Sequence, residues 1–247
     1  MYMTLSVYIH NLDVCCVKLY SSLIYILQNK MRNPIIVLVV VLIQFISEYS
    51  AQRLLQMDIR LAQDIHNWLR SREGAADMNY LNWDWGLQGA AARWAQTCRF
   101  EHQYSGRYGE NLAFEASTGR LNPRRVMING MRNWFNEKRL YRYGRGSCGA
   151  ACHYTQMVWA RSDRIGCAMS HCNVIIDPQS GRTYSNAMYL VCFYTPQGNF
   201  IGQFPYLRGP PCSRCQRGKM MCMNNLCQGM NSFGYLKSTS VFSPDDI

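Results

Sequence analysis

One histidine stands out as a residue able to take part in a chemical site: His153, in the stretch CGAACHYTQMVWARSDRIGCA. Two cysteines precede it, one follows it, and it opens a short amphipathic run. Residues three or four positions apart share one face of a helix, so His153 and Met157 lie on the same side of this run. The same relation joins Trp134 to Glu137 and places the aromatic ring inward and the carboxylate at its edge. An imidazole and a carboxylate are therefore candidates for a polar site.

Two familiar hydrolytic motifs are missing. The sequence has no HExxH pair, which carries the zinc ligands of many metallopeptidases on one helix. No serine stands in a nucleophile-elbow pattern. His66 is interpreted as a packing or hydrogen-bonding residue of a helix, and His171 as the surface of a strand or turn. Binding is therefore favoured over catalysis.

The cysteine content has to be interpreted together with the compartment. Twelve cysteines in 247 residues indicate metal sites in a reducing cytosol or a disulfide framework in an oxidising compartment. Residues 31–51 favour the second, because Arg32 is followed by an apolar run over 35–46 and then by polar and small residues. This is the layout of a secretory signal peptide, and the apolar run is short for a membrane span.

Residues 1–51 are thus predicted to be a leader with its signal at 31–51, cleaved after Ala51. Residues 1–30 either lengthen the signal or precede a translation start at Met31, and a retained N-terminal anchor is the alternative to cleavage. Cleavage leaves ten cysteines, an even number that suits full pairing. We therefore expect a secreted, extracellular protein.

The net charge of +11 bears on the partners. Removal of 1–51 takes away three basic and two acidic residues and leaves about +10. Arginines are scattered singly among aromatic residues over 93–145, which is typical of a basic soluble surface or of contact with anionic glycans or a membrane surface. Nucleic acid is not expected as a partner, because the exported chain has no reader motif.

Apolar residues at helical spacing predict helices in DIRLAQDIHNWLRSREG, NWDWGLQGAAARWAQTC, NPRRVMINGMRNWFNEK and HYTQMVWA. The inward faces of the first three are Leu61, Ile65, Trp68 and Leu69; Leu87, Ala91, Trp94 and Ala95; and Val126, Met127, Met131 and Trp134. Asn122 is the predicted cap of the third, with Pro123 in its first turn.

Strands are predicted over 111–115, 164–172 and 187–195, the last two as an antiparallel hairpin across DPQSGRTYSN. Together with the helices they predict an α+β domain over 55–207. Residues 208–229 hold four cysteines and few aliphatic residues, so this hinge is expected to be held by cross-links and not by burial. Residues 230–247 are predicted to be a flexible tail.

A family resemblance joins these features. CHYTQMVWARS and YLVCFYTPQGNF resemble the two signature segments of the CAP superfamily of cysteine-rich secretory, antigen 5 and pathogenesis-related proteins. HNWLR, LNWD, RWAQTC and GENLAF follow in the order of that domain, and the closing PYLRGPPCSRC…CMNNLC resembles the peptidase-inhibitor-15-like branch. The resemblance covers about 60–207 and implies a three-layer α-β-α sandwich with an antiparallel sheet and a short disulfide-rich hinge. Cys152 and Phe193 depart from the usual glycine and polar residue at their positions.

The resemblance also implies a site. It brings His102, Glu110, Glu137 and His153 together in a central cleft. Neutral histidine nitrogens suit Zn²⁺ or another divalent cation, and carboxylates can hold the second ring nitrogen. No cofactor is required, however: without metal the four form a hydrogen-bonded polar cluster.

Disulfide pairs follow from the family as well. It implies five bridges: Cys98–Cys172, Cys167–Cys192, Cys148–Cys152, Cys212–Cys222 and Cys215–Cys227. Sequence alone leaves other connectivities open, among them a reduced, metal-binding cysteine cluster in the hinge.

We therefore expect a secreted, monomeric, non-enzymatic binding module. Its partner would be an extracellular protein, a lipid or a glycan at the cleft or the hinge. The branch implies modest inhibition of a trypsin-like protease, with Arg145 as the candidate inhibitory residue. The first alternative is a sterol or lipid carrier in which VMINGMRNWF lines a groove. The second is a metal-dependent hydrolase that uses His102, His153 and one glutamate.

Overall fold

The computed structural model describes residue 42 and residues 59–103, 105–144, 146–219 and 221–229. Two units divide the chain, Met1–Leu55 and Gln56–Ile247, and all described residues except Leu42 belong to the second. The predicted leader (apart from Leu42), the predicted tail and Arg145 lie outside the described residues. Among the described residues, no helix has both the length and the apolar content that a membrane span needs.

The described residues from 59 onwards form four α-helices and one 3₁₀ helix: α1 over 59–70, α2 Trp85–Ala95, α3 Pro123–Asn136, the 3₁₀ helix Glu137–Leu140, and α4 Cys152–Met157. The backbone amide of Leu87 donates to the Asp84 side chain at the start of α2, and the amide of Arg125 donates to the predicted cap Asn122 at the start of α3.

Helix α4 is shorter than the predicted segment HYTQMVWA. It ends at Met157, and the Trp159 amide reaches back only three residues, to the carbonyl of Gln156. The Ala160 amide then donates to the Pro205 carbonyl in a distant loop. The chain leaves the helix because these amides find other acceptors.

The main sheet has four strands, β1 Asn82–Trp83, β2 Gly109–Ala116, β3 Arg164–Asp177 and β4 Arg182–Thr195, in the order β1-β3-β4-β2. The short edge strand β1 runs parallel to β3, and the other pairs are antiparallel.

The predicted hairpin is present, but its strands are longer than expected. Pairing continues to Asp177 opposite Arg182, so only 178–181 form the turn and most of DPQSGRTYSN is strand. The Asp177 carboxylate accepts the amides of Gln179 and Ser180, and Gly181 has a φ of +68°. These features close a tight turn that the polar composition of the segment conceals.

Strand β4 is buried on both faces and divides the core into two layers. Leu190, Cys192 and Tyr194 face the apolar residues of α1, α3 and α4. Tyr189, Val191 and Phe193 alternate with them and face α2. The result is a three-layer α-β-α sandwich, in which α2 covers one face of the sheet and the other three helices cover the opposite face.

The α2 layer comes close to the sheet at Gly166 of β3. A Cβ atom at this position would lie 2.2 Å from the backbone nitrogen of Gln88. Only glycine therefore permits this contact between strand and helix.

All ten cysteines among the described residues are paired, and the pairs are those that the family resemblance implies: Cys98–Cys172, Cys148–Cys152, Cys167–Cys192, Cys212–Cys222 and Cys215–Cys227. Three sulfurs of the hinge, those of Cys212, Cys215 and Cys227, lie within 4.8 Å of one another. Each belongs to a disulfide, so the hinge is braced by bridges and does not present thiolate ligands.

The expectation that the hinge is held by cross-links is confirmed by its two disulfides, but the expectation that burial plays no part is wrong. Two short strands, β5 Met221–Met223 and β6 Leu226–Gln228, form a hairpin, and every residue of β6 is buried. The Cys227 amide donates to the Met78 carbonyl at 2.7 Å, and the Tyr80 amide donates to the Cys227 carbonyl at 3.0 Å. Leu226 joins the core of the domain. Leu226 and several backbone hydrogen bonds, among them one from the Arg214 amide to the Ala76 carbonyl at 2.8 Å, thus dock the hinge.

Candidate functional site

The first His–Glu pair lies where the 3₁₀ helix meets α4. Nδ1 of His153 is 2.6 Å from Oε1 of Glu137. The other carboxylate oxygen accepts the backbone amides of His153 at 2.9 Å and Tyr154 at 3.3 Å. Because Ala151 at the N-cap of α4 supplies no side-chain acceptor, Glu137 both orients the imidazole and caps the helix that carries it.

The indole ring of Trp134 stacks on the imidazole ring of His153. The two rings are nearly parallel, with an interplanar angle of 16° and centroids 6.1 Å apart. The indole is buried and its Nε1 donates to the Leu112 carbonyl on β2 at 3.0 Å. The helical spacing of Trp134 and Glu137 thus brings two side chains to one histidine.

The second pair lies at the start of β2. Oε2 of Glu110 is 3.2 Å from Nδ1 of His102 and accepts the Gln103 amide at 2.8 Å. The Glu110 side chain is 7% exposed and the His102 side chain 44% exposed. A nearly buried carboxylate therefore positions an imidazole that faces solvent.

A buried chain of hydrogen bonds connects β2 with the first pair. Asn111, which follows Glu110, donates from Nδ2 to the His153 carbonyl at 3.0 Å and to the Tyr194 hydroxyl at 3.3 Å. The Tyr194 hydroxyl lies 2.8 Å from Nε2 of His66, whose Nδ1 lies 2.8 Å from the Ala62 carbonyl. Since Nδ1 has to donate to that carbonyl, Nε2 accepts from Tyr194.

Burial sets the protonation state of this chain. It lowers the pKa of His66 to about 4, although the hydrogen bond to the Ala62 carbonyl opposes the shift. It also raises the pKa of the Tyr194 hydroxyl well above its usual range. His66 and Tyr194 are therefore both neutral at physiological pH.

The donor set fits a borderline cation such as Zn²⁺, but the geometry limits the number of protein ligands. Zinc bonds of about 2 Å place ligand atoms within about 4 Å of one another. Among the described residues, no three of the donor atoms in the two pairs lie within 4.8 Å. At most two of the four residues can therefore contact one ion, and the rest of its coordination shell has to come from water or a partner.

Nucleophiles are scarce around the first pair. Within the described part of the chain, no hydroxyl or thiol is hydrogen-bonded to the His153 ring, and the cysteines are oxidised. His171 lies apart from both pairs, is exposed and contacts Asn186 on the neighbouring strand. The His–Glu pairs are suited to hydrogen bonding and have the donor types that a divalent cation prefers.

Two cavities of about 270 and 410 Å³ lie elsewhere and share Asp77, Arg161 and Leu207. Residues 203–206 also line the first, and Arg214 and Gln216 also line the second. Neither is lined by a member of the two pairs. The helix VMINGMRNWF lines neither cavity, and its residues Val126, Met127, Met131 and Trp134 are buried in the core.

Comparison with known proteins identifies the family of this chain. The model of the CAP family, described as the cysteine-rich secretory protein family, matches residues 63–194. That span is more than half of the chain. The protein belongs to the CAP family.

Curated CAP relatives cover most of the chain. GLIPR1-like protein 1 of Mus musculus is 39% identical over 184 residues, which are 68% of this chain and 71% of the relative. Peptidase inhibitor 15 of Homo sapiens is 38% identical over 190 residues, 70% of each chain. This CAP protein therefore lies near the peptidase inhibitor 15 and GLIPR1-like branch.

A solved CAP structure supports the fold. NaASP2, crystallised with Zn²⁺, is 27% identical, with a TM-score of 0.58 over 69% of this chain and 95% of that one. Its sandwich corresponds to the α+β architecture described above.

Sequence patterns missed several residues that build the site. Asn111 stands in a segment predicted only as a strand, and Tyr194 looks like any aromatic residue of a buried strand. Nothing in a linear sequence indicates that their side chains meet. The pairing within the CAP site, His102 with Glu110 and His153 with Glu137, is likewise a product of the tertiary fold.

Proposed function

We propose that this CAP protein is a secreted, non-enzymatic binding protein whose His–Glu site takes up a divalent cation such as Zn²⁺. The observation that carries the proposal is that each glutamate lies against the Nδ1 atom of its histidine. A cation would then bind through the Nε2 atoms, with the carboxylates fixing the tautomer and the orientation of each ring. The bound ion would supply a positive charge that attracts an anionic group of a partner.

Two further observations support the proposal. NaASP2, a similar structure, was solved with Zn²⁺. The Glu137 carboxylate is fixed by two backbone amides, so its orientation does not depend on the ion. A site arranged in advance loses less entropy on binding.

Titration calorimetry with Zn²⁺ tests the cation. We expect His102→Ala and His153→Ala each to abolish measurable binding, and Glu137→Gln to weaken it about 10–100-fold. His171→Ala is the matched control and should bind like the wild type, because that exposed ring lies on the hairpin and contacts Asn186. Equal affinity in the wild type and both alanine variants at the pairs would reject the site.

Export is supported by the five disulfides, which need an oxidising compartment to form and persist. Expression in a secretory host tests it, with the N-terminus, the free thiols and the bound metal measured on one sample. We expect a product in the medium that begins near residue 52 and has no free thiol. An intracellular product with reduced cysteines would contradict the proposal.

An extracellular protein is the proposed partner. One similar protein is named peptidase inhibitor 15, so the proposal includes modest inhibition of trypsin-like proteases. The experiment is to follow trypsin-like activity with micromolar protein, using wild type and Arg145→Ala. Unchanged protease rates with the wild type would remove this part of the proposal.

A further inference from the structure

Two segments, 139–143 and 200–208, carry exposed apolar side chains next to arginines. We call this surface the apolar–basic face and define it by the exposed residues Arg139, Leu140, Arg142, Phe200, Ile201, Phe204, Leu207 and Arg208. Ile201 is 92% exposed and stands at the tip of the second segment. Large apolar side chains that cluster on a surface mark contact with a partner or a membrane.

Specific contacts hold the two segments together. The Tyr143 ring stacks on Phe204 with centroids 5.0 Å apart, and the Arg208 guanidinium lies 4.1 Å from the centroid of the same tyrosine. The Tyr143 hydroxyl donates to the Tyr206 carbonyl at 2.7 Å, and the Gly202 amide donates to the Gly146 carbonyl at 2.6 Å. The loop that bears Ile201 is therefore fixed beside the arginines.

The charge of this face has one sign. Residues 138–162 and 178–209 contain no aspartate or glutamate. The acidic side chains near these segments are already engaged: Glu137 is paired with His153, Glu73 is buried and paired with Lys138, and Asp77 accepts the Leu207 amide. Within the described residues, none of the three arginines of the face forms an ion pair. The face thus complements an anionic partner that also accepts apolar groups.

We infer that the apolar–basic face docks on a membrane surface that contains anionic phospholipid. Ile201 and its phenylalanine neighbours enter the boundary between headgroups and acyl chains, and the arginines contact lipid phosphates. A side chain that projects as far as Ile201 suits a fluid layer that closes around it. A rigid protein partner would need a cavity of matching shape.

Co-sedimentation of the secreted full-length protein with lipid vesicles tests this inference. We expect binding to phosphatidylcholine vesicles that contain about 30% phosphatidylserine, and much weaker binding without the anionic lipid. Ile201→Asp should lower the partition coefficient about tenfold or more, because a charge replaces the inserted apolar group. Each of Arg142→Glu and Arg208→Glu should lower it about fivefold or more.

Two matched controls lie on β3 and β4, away from the face. Val174→Asp changes another exposed apolar residue and Arg182→Glu another exposed arginine, and both should bind vesicles like the wild type. Thermal unfolding of each variant checks that the fold is retained. Equal loss in the controls, or no binding of the wild type to anionic vesicles, would overturn the inference. Binding to heparin with no binding to vesicles would also overturn it and assign the face to a glycan.

Discussion

At the scale of single residues, His66 is buried without charge. Burial lowers its pKa to about 4, the hydrogen bond to the Ala62 carbonyl opposes the shift, and the positive charge of Arg70 adds to it. An unfolded histidine has a pKa near 6.5 and so takes up its proton first as the pH falls. The contribution of neutral His66 to stability is therefore complete above about pH 6.5 and is lost progressively towards pH 4.

As the pH falls from about 7 to 4.5, the unfolded chain gains a proton at His66 that the folded protein does not. We expect this difference alone to lower the free energy of unfolding by about 2 kcal/mol. Denaturant unfolding at both pH values measures this loss of stability. In His66→Gln the loss should be smaller by about 2 kcal/mol. Asp64 and Asp77 have pKa values raised by burial and act in the opposite direction, but they are present in both proteins. The same pH dependence in the two proteins would contradict this assignment.

Arg70 is buried as completely as His66 but keeps its charge. Burial lowers its pKa to about 9, and Tyr194, Asp77 and Asp163 oppose the shift. The guanidinium donates six hydrogen bonds, all to backbone carbonyls, those of Asn79, Met157, Trp159, Ala160 and Ser162. A single side chain thus joins the end of α1 to the loop before β1, to the end of α4 and to the loop that follows α4.

Arg70→Lys should destabilise the protein by about 3–5 kcal/mol, because an ammonium group cannot reach the carbonyls that the planar guanidinium serves. Arg72→Lys is the matched control two residues later: its side chain is exposed and lies over the Trp68 ring, so the loss should be about 0.5 kcal/mol. Chemical denaturation gives the free energy of unfolding of both variants. Similar losses would show that the buried hydrogen bonds are not responsible.

The sequence gives no sign of the role of Arg70. RSREG at the end of an amphipathic helix has the composition of a solvated helix end, and the acceptors of its hydrogen bonds lie up to 92 residues away. The four members of the His–Glu pairs could be named only through the family resemblance. Their neighbours Asn111 and Tyr194 could not, because a buried amide or hydroxyl finds its partner only in the folded chain.

At the scale of elements, the helices follow the apolar periodicity closely. Val126, Met127, Met131 and Trp134 were predicted as one face of α3 and are all buried. The hairpin was harder to delimit, because the outer parts of β3 and β4 extend beyond the helices and carry polar residues such as Thr183 and Ser185. A strand segment that is mostly polar and exposed resembles a loop in composition. The bounds of such strands depend on cross-strand hydrogen bonds, which sequence patterns do not record.

The docked hinge gives a testable prediction at this scale. Leu226 is 2% exposed and packs in the main core, so Leu226→Ala should destabilise the whole domain by about 2–4 kcal/mol. Met223→Ala, at a partly exposed site on the neighbouring strand, should destabilise it by about 1 kcal/mol or less. Unfolding monitored by tryptophan fluorescence reports on the domain. If Leu226→Ala leaves the transition unchanged, the hinge folds independently of the core.

At the scale of the whole molecule, the disulfides restrain very different lengths of chain. Cys98–Cys172 joins α2 to β3 across a sequence separation of 74, whereas Cys148–Cys152 spans only 4. The entropy removed from the unfolded chain grows with the logarithm of the loop length. The long bridge should therefore contribute about 4 kcal/mol and the short one about 2 kcal/mol.

Thermal and denaturant unfolding of two double variants, Cys98→Ala with Cys172→Ala and Cys148→Ala with Cys152→Ala, measures these contributions. The first should lose more stability, and the cavity left at the buried Cys172 adds to its loss. The second pair serves as the comparison, since it removes the same covalent bond from a short loop. The reverse order would contradict an account based on loop length.

The position of Cys227 has a consequence for anything attached to this protein. Its backbone hydrogen bonds to Met78 and Tyr80 anchor the last described strand at a defined point on the domain. A fluorescent amino acid substituted for Gly229 would lie only two residues from that anchor. Its anisotropy decay should therefore report the rotational diffusion of the domain itself, which makes this position a convenient reporter of complex size when a vesicle or a partner binds.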